Sequence, residues 1–238
     1  MPLDRKLFTM LRHSAEEIYT PASAAMYRRA DDEARASESH AGKCAIVRAL
    51  SQGFRHAITV LDLGCGTGRY FHCVENVGML IGVDPSKNML QYAHDPVLGG
   101  NRNVHLIRSS LDQLCFAPGS FDLIICIGVL GLWSPVDDLI LSRIAELLKP
   151  DGVLFFSAIE HQPTELTLKR RIASAIRPVL RGFMRRYVET RLRDFTISED
   201  SLHVLGRRRF GSVDITRWQS PTGRVDLHCV MTNRRGVA

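Results

Sequence analysis

Between Ile58 and Phe156, short apolar runs rich in β-branched residues alternate with helix-like stretches. The runs are ITVLDL, MLIGVD, NVHLIR, FDLIICIG and GVLFFSAI. Strands that are apolar on both faces are typical of a parallel sheet covered by helices on either side. The pattern therefore predicts an α/β fold built from βα units, with helices from Ser86 to Tyr92 and from Pro135 to Leu148 among the connections.

Helical stretches flank and interrupt this alternating region. Residues 1–52 are helical in pattern and polar, and we expect an N-terminal helical cap there, with helices from Leu3 to about Tyr19 and from Ala22 to Leu50. The second of these stretches has a charged middle. Residues 53–238 are expected to form the main domain. Within it, residues 160–197 form a basic amphipathic segment, which predicts a helical lid inserted between strands five and six. Strand-like runs over 210–218 and 224–232 follow the lid and suit a hairpin.

Composition limits the class of protein. The 238 residues are 45% hydrophobic and 24% charged, which is typical of a globular domain. The longest apolar stretch, Phe121 to Trp133, is too short to span a bilayer, and we see no secretory signal, so we expect a cytoplasmic protein. The six cysteines form no C-x-x-C pair and no Cys/His cluster with zinc spacing. We therefore expect reduced thiols and no metal site.

The sequence VLDLGCGTGRY, residues 60–70, places glycine at every second position in a turn that follows a predicted strand and is expected to run into a helix. Gly64, Gly66 and Gly68 lack a Cβ, so a ligand can lie directly on the backbone. Asp84 ends the next predicted strand. In a doubly wound sheet its carboxylate lies beside the glycine turn, where it can accept hydrogen bonds from two ribose hydroxyls. The pattern predicts a nucleoside-containing cofactor.

The neighbours of these glycines indicate which cofactor is bound. A dinucleotide fingerprint reads G-x-G-x-x-G, whereas this chain has Arg69 at the position of the last glycine. Asp62 lies two residues before Gly64, and a carboxylate there suits an amino group better than a pyrophosphate. A nicotinamide oxidoreductase is therefore a much weaker interpretation.

Four motifs, in this order, resemble those of class I S-adenosylmethionine-dependent methyltransferases, in particular the small-molecule branch called type 11 or type 12. The family's first motif corresponds to VLDLGCGTGRY, its second to IGVDPSKNMLQYA, its fourth-strand motif to SFDLIICIGVLGLW and its fifth-strand motif to LLKPDGVLFFS. The resemblance covers residues 40–157. It implies a Rossmann-like fold with a seven-stranded, mostly parallel sheet whose last strand is antiparallel.

The resemblance also implies the cofactor, S-adenosyl-L-methionine, its product, S-adenosyl-L-homocysteine, and the residues that hold it. Asp62 and the glycine turn would bind the methionine part, Asp84 the ribose, and Met89 the adenine. The implied cofactor-binding set is Asp62, Gly64, Cys65, Gly66, Gly68, Asp84, Pro85, Met89, Ser110, Leu111, Cys126, Ile127 and Gly128.

The chain departs from the family pattern at two places. Ser110 stands where relatives commonly have an aspartate that binds the adenine amino group, and a neutral acceptor is weaker there. Gly131 and Leu132 stand where relatives often have a histidine. The candidate catalytic residues are therefore His161, just after the fifth strand, and Tyr27 of the cap, although a base is needed only when the acceptor must lose a proton. Trp133 is a candidate pocket wall.

The basic lid and the net charge of +6 leave more than one acceptor open. We expect O-, N- or C-methylation of a small, acidic or amphipathic metabolite, with peripheral membrane contact through the lid as one option. Nucleic acid is disfavoured because the sequence CIGVLG after strand four offers no side-chain acceptor for a base amine. The alternatives are an RNA or protein methyltransferase and a non-catalytic partner protein. The sequence is compatible with a monomer or a homodimer.

Overall fold

The computed structural model describes residues 19–93, 103–160, 195–220 and 223–233. These residues form the expected α/β fold around one seven-stranded sheet. In chain order the elements are helices α1 (Pro21–Arg35) and α2 (Glu38–Gln52), strands β1 (Ile58–Leu63) and β2 (Val77–Asp84), helix α3 (Lys87–Ala93), strands β3 (Val104–Arg108) and β4 (Phe121–Ile127), helix α4 (Asp138–Leu147), strand β5 (Leu148–Ile159), helix α5 (Glu199–Arg207), and strands β6 (Ser212–Gln219) and β7 (Val225–Thr232). Two short 3-10 helices, Phe71–Cys73 and Leu111–Gln113, lie in the connections.

The strand order is β3-β2-β1-β4-β5-β7-β6. Strands β1 to β5 pair in parallel, and β7 is antiparallel to both β5 and β6. The predicted seven-stranded sheet with an antiparallel last strand is thus confirmed. The order reverses at β1, which has β2 on one side and β4 on the other. In open α/β sheets, ligands bind at this reversal, beyond the carboxyl ends of the strands.

Alternating side chains of the central strands pack into two apolar layers. On one face, Leu61 packs in a layer with Ile144 of α4, and on the other, Val60 packs in a layer with Val47 of α2. All four are fully buried. This double coverage explains why the strand sequences are apolar without a polar face. No helix among the described residues is long and apolar enough to cross a membrane.

The cap helix that we expected from Ala22 to Leu50 is divided in two. Ser37 lies between α1 and α2, and its side chain accepts a hydrogen bond of 3.2 Å from the His40 amide. A serine in this position competes with helix continuation because its oxygen satisfies the free amides of a new helix. The break follows from this cap, which the helical periodicity did not reveal.

The expectation that the glycine turn runs into a full helix is wrong. Only the 3-10 helix Phe71–Cys73 follows it, and β2 begins at Val77. Gly68 has φ of 74°, a backbone conformation that is incompatible with a right-handed helix. Too few residues then remain before β2 for several helical turns. Helix α2 contributes instead to the cover on this face of the sheet.

In this structure two of the six cysteines depart from the expectation of reduced thiols. Cys44 of α2 and Cys73 of the 3-10 helix are joined by a disulfide, with their Cα atoms 5.1 Å apart. The other four are free, and of these only Cys115 is exposed. Because the pair lies on separate elements 29 residues apart, sequence spacing did not predict the contact.

Candidate functional site

The glycine turn forms the floor of the site at the carboxyl end of β1. Gly64, Gly66 and Gly68 all have positive φ angles, 73°, 56° and 74°. The turn is fixed to β2 because the Gly64 and Cys65 amides donate to the Val83 carbonyl at 2.7 and 3.0 Å. A side chain at Gly64 would have its Cβ 2.2 Å from a methyl group of Val129. Glycine is therefore required both by the backbone angle and by the close approach of the loop after β4.

Asp84 lies beside this turn, as predicted. One carboxylate oxygen accepts a hydrogen bond from the Gly66 amide at 2.9 Å, and the other accepts one from the Ser86 amide at 2.8 Å. Burial raises the pKa of Asp84, although these two amide bonds act in the opposite direction. The carboxylate thus joins the glycine turn to the start of α3, and each oxygen has remaining lone pairs for a ligand.

Asp62 lies near the end of β1, between Gly82 of β2 and Ile125 of β4 in the sheet. It is buried, and its Oδ2 atom has no hydrogen-bond partner among the described residues. Burial, and then the charge of Asp84, raise the pKa of Asp62 to about 8. A buried carboxyl oxygen without a partner is costly, and a bound ammonium group would satisfy it. The residue therefore fits the predicted contact to an amino group.

The end of β4 forms the wall next to Asp62. Gly128 has φ of 75°, and its amide donates to the Ser157 hydroxyl at 3.0 Å. No atom of the described residues lies within 4 Å of the place where a Cβ of Gly128 would be, so this backbone faces open space within that part of the chain. Burial raises the pKa of the Cys126 and Cys65 thiols, which keeps both of them neutral. Cys126 and Cys65 can therefore contact a ligand through their backbone atoms, and not through a reactive thiolate.

Two of the residues implied for the adenine follow Asp84 in the sequence, Met89 on α3 and Ser110 after β3. Met89 of α3 is buried, and its methyl group lies 3.2 Å from the position of a Cβ on Gly66. Ser110 is half-buried and donates its hydroxyl proton to Asp112 at 2.6 Å. The oxygen of Ser110 therefore keeps lone pairs that can accept from an amino group, while Asp112 orients it.

An aromatic cluster of Tyr19, Tyr27 and Trp133 lies near Asp84. The ring of Tyr19 lies 5.5 Å from that of Tyr27 and 6.0 Å from that of Trp133. The Asn88 amide group fixes the segment by donating to the Tyr19 carbonyl at 2.7 Å. Burial, Tyr27 and the charge of Asp84 raise the pKa of Tyr19, which keeps its hydroxyl protonated. The candidate residue Tyr27 is thus placed in the cluster, with an exposed side chain. The other candidate, His161, lies outside the described residues.

The structure explains the missing histidine after β4. Gly131 has φ of 73°, and a Cβ there would lie 3.0 Å from the Cβ of Ala158 in β5. The position has no room for a side chain without movement of β5. A general base, where the reaction needs one, must come from another element.

Sequence reasoning missed one buried residue of the site, Asp31 of α1. Its carboxylate is fully buried and accepts hydrogen bonds from the Thr67 hydroxyl and, at 2.6 Å, from the Arg69 guanidinium. Arg69 is the residue that replaces the last glycine of the dinucleotide fingerprint. Its role is therefore to hold the glycine turn against the cap. The signal for Asp31 was the charged middle of the cap, but helical periodicity alone does not identify which of those charges is buried.

Replacing Asp31 with alanine should destabilise the fold by about 2 to 4 kcal/mol, because Arg69 and Thr67 lose their common partner in a buried setting. Denaturant unfolding measures this change. The matched control is Asp138→Ala, which removes a solvent-screened ion pair with Arg209 and should lower the stability much less than Asp31→Ala does. Equal losses in the two variants would contradict a special role for Asp31.

Comparisons with known proteins agree with this geometry. Residues 60–152 match a family model described as a methyltransferase domain. The chain is 31% identical over 111 residues to a ubiquinone biosynthesis O-methyltransferase of Xanthomonas campestris pv. campestris, covering 46% of each chain. It is 30% identical over 129 residues to a thiol S-methyltransferase of Rattus norvegicus, covering 51% of each. The chain thus covers about half the length of these relatives.

The fold is similar to that of a solved magnesium protoporphyrin IX methyltransferase from Synechocystis PCC 6803 with bound S-adenosylhomocysteine. The TM-score is 0.65 at 18% identity, over 93% of this chain and 99% of that one. A phosphoethanolamine N-methyltransferase 2 of Haemonchus contortus is similar with a TM-score of 0.57 at 15% identity, over 80% of this chain and 52% of that one. The resemblance of the sequence motifs is confirmed to this extent: residues 60–152 match a methyltransferase domain, and the chain shares its fold with solved methyltransferases that bind S-adenosylhomocysteine or S-adenosylmethionine.

Proposed function

We propose that this protein transfers a methyl group from S-adenosylmethionine to a small-molecule acceptor. The observation that carries the proposal is the buried carboxyl oxygen of Asp62, which has no partner in the described part of the chain. It lies next to Asp84 and the glycine turn, at the reversal of strand order. An amino-acid nucleoside offers both groups that these acids lack, an ammonium for Asp62 and ribose hydroxyls for Asp84. A dinucleotide offers no ammonium group.

The roles of the chain's own residues follow from this arrangement. S-adenosylmethionine, when bound, supplies an electrophilic methyl group on a sulfonium. Asp62 would hold its amino group, the Asp84 carboxylate its ribose, and the Ser110 oxygen its adenine amino group. The backbone of Cys126, Ile127 and Gly128 would line the opposite wall. The protein's contribution is chiefly positioning, which can lower a barrier by about 7 to 11 kcal/mol when the reacting atoms are aligned.

We place the acceptor next to the aromatic cluster of Tyr19, Tyr27 and Trp133. These rings form an apolar wall near the ribose carboxylate Asp84, and Tyr27 is exposed at its edge. A flat or apolar small molecule would pack on such a surface. The names of the O- and S-methyltransferase relatives support a small acceptor. Where the acceptor must lose a proton, Tyr27 and His161 remain our candidates for that step.

The lid over 160–197 and the partners of the protein remain proposals. The described ends of the segment, Glu160 and Ile197, pair through a parallel β-bridge, so the chain leaves and re-enters the domain at one place. This supports an inserted lid beside the end of β5. We also propose that the basic residues of this segment contact an acidic acceptor or an anionic lipid surface. The proposed location of the protein is the cytoplasm.

Transfer of a labelled methyl group tests the proposed activity. The protein is incubated with S-adenosylmethionine carrying a radioactive methyl group and with a cell extract divided into small molecules, RNA and protein. We expect label in the small-molecule fraction, and none when Asp62→Asn replaces the native protein. Label in RNA or protein alone would establish the macromolecular alternative. Cofactor binding without label in any fraction would favour the non-catalytic partner.

Asp62 also predicts how cofactor affinity depends on pH. Its pKa of about 8 means that the free protein holds a proton there at pH 6 to 7, whereas pairing with an ammonium requires the ionised form. Binding should therefore release about one proton, and affinity should rise up to about tenfold per pH unit from pH 6 to 7. Calorimetric titration with S-adenosylhomocysteine in buffers of different ionisation enthalpy measures the number of protons that are released on binding. Asp62→Asn should bind weakly and without the pH dependence, and an unchanged proton release in that variant would refute the assignment.

A further inference from the structure

Four side chains outside the cofactor site converge between α2 and the 3-10 helix Phe71–Cys73. They are His40, Cys44, His72 and Cys73, and their potential ligand atoms all lie within 4.8 Å of one another. We propose that these four residues, with both cysteines reduced, form a tetrahedral zinc site that fastens α2 to the exit of the glycine turn.

The distances agree with this coordination. The Cys44 sulfur lies 3.3 Å from Nε2 of His40 and 3.8 Å from Nε2 of His72. The Cys73 sulfur lies 3.4 Å from Nε2 of His72. Zinc bonds of about 2.3 Å to sulfur and 2.0 to 2.1 Å to nitrogen, at a tetrahedral angle, require a nitrogen to sulfur separation of roughly 3.5 Å. Two of the three nitrogen to sulfur separations, 3.3 and 3.4 Å, are slightly shorter than that value, and the third, 3.8 Å, is slightly longer.

The two elements present these ligands for clear structural reasons. His40 and Cys44 are four residues apart on α2, so they lie on one face of the helix. His72 and Cys73 lie on the 3-10 helix that replaces the expected longer helix. The ring of His40 stacks on that of His72 at 5.5 Å and on that of Tyr70 at 5.0 Å, which orients the imidazoles.

The site is closed in the way that structural zinc sites are. His40, Cys44 and Cys73 are buried, and His72 is half-buried. Four protein ligands fill a tetrahedral zinc ion and leave no open position for a substrate. Two sulfur and two nitrogen ligands favour zinc over magnesium or calcium, which prefer oxygen. We therefore assign a stabilising role, not a catalytic one.

The oxidation state of the two cysteines decides whether the metal binds. In this structure Cys44 and Cys73 are joined by a disulfide, which leaves no thiolate for a metal. In a reducing compartment the pair is available as thiols, and zinc displaces the two thiol protons when it binds. The two sulfurs must then move apart from disulfide distance, about 2.05 Å, to the roughly 3.8 Å that two sulfur ligands of one tetrahedral zinc ion require. The two imidazole rings already stack side by side next to them.

Metal analysis of the intact protein tests the site. The protein is expressed with added zinc, purified with reductant, dialysed and analysed by mass spectrometry for metals. We expect about one zinc per chain, retained in Cys115→Ser, whose cysteine is exposed and free. Cys44→Ser and His72→Gln should lose the metal. Replacement of zinc by Co²⁺ in the unmodified protein should give the visible absorption of a tetrahedral ion together with a thiolate charge-transfer band.

The opposite results overturn the proposal. Metal-free protein in which thiol titration under denaturing conditions, without reductant, finds only four of the six cysteines would establish a lasting disulfide. Zinc retained in both ligand variants, or lost in Cys115→Ser, would place the metal elsewhere. Should Cys44→Ser and His72→Gln not fold, the Co²⁺ spectrum of the unmodified protein decides, and an octahedral spectrum without a thiolate band rejects the site.

Discussion

Asp84→Ala is expected to weaken the binding of S-adenosylhomocysteine by at least about 100-fold. Each hydrogen bond from a ligand hydroxyl to a charged carboxylate contributes about 1.5 to 3 kcal/mol, and the ribose offers two. The loss is larger still if the turn moves, because Asp84 also accepts from the Gly66 and Ser86 amides. Calorimetric titration of the variant measures the effect.

Two further variants show whether this loss is specific. Asp214→Asn removes a carboxylate from the exposed side of β6 and should bind as the native protein does. Asp84→Asn keeps one acceptor and should bind with intermediate strength. Native affinity in Asp84→Ala would exclude the assigned ribose contact, and equal weakening in Asp214→Asn would show that the effect is general.

Gly64→Ala should have the largest effect on stability, about 2 to 5 kcal/mol. A side chain at a φ of 73° costs about 1 to 2 kcal/mol. The contact of the new Cβ with Val129 at 2.2 Å adds an overpacking cost of about 1 to 3 kcal/mol, because the β-branched Val129 has few alternative rotamers. Denaturant unfolding measures the sum. Cofactor affinity should fall as well, because the turn can no longer keep its conformation.

Gly119→Ala separates the two contributions. Gly119 has a similar φ of 68°, but none of the residues that the structure describes has an atom within 4 Å of the place of its Cβ. It should therefore lose only the backbone part, about 1 to 2 kcal/mol. Adding Val129→Ala to Gly64→Ala should relieve the contact and recover part of the stability. Equal losses of stability in Gly64→Ala and Gly119→Ala would show that contact with Val129 does not restrict the side chain at position 64.

The sheet and the cofactor half of the site could be predicted because local sequence determines them. Apolar β-branched runs identify buried strands without knowledge of their neighbours, and β1 begins and ends where the ITVLDL run does. Asp62 and Asp84 could be placed because the carboxyl ends of parallel strands meet at one edge. Their positions in the structure agree with that reasoning.

The remaining features depend on contacts between distant residues. Asp31 reaches the glycine turn from a separate helix, and its burial depends on how α1 packs. The group of His40, Cys44, His72 and Cys73 forms because a short 3-10 helix replaces a longer one and α2 packs against it. No spacing rule for zinc ligands contains this pattern, since two of the ligands are adjacent in the sequence. Tertiary packing determines the position of Asp31 and the grouping of the four histidines and cysteines, and local secondary-structure propensity does not predict either one.

The most direct measurement for the central claim is a calorimetric titration of the unmodified protein with S-adenosylmethionine. The account predicts that one equivalent binds, with an affinity in the range of about 1 μM to 1 mM that is typical for enzyme substrates, and that about one proton is released near pH 6.5. Absence of binding at the upper end of that range would contradict it. The buried Asp62 oxygen, for which the described residues offer no partner, would then serve some purpose other than holding the cofactor's amino group.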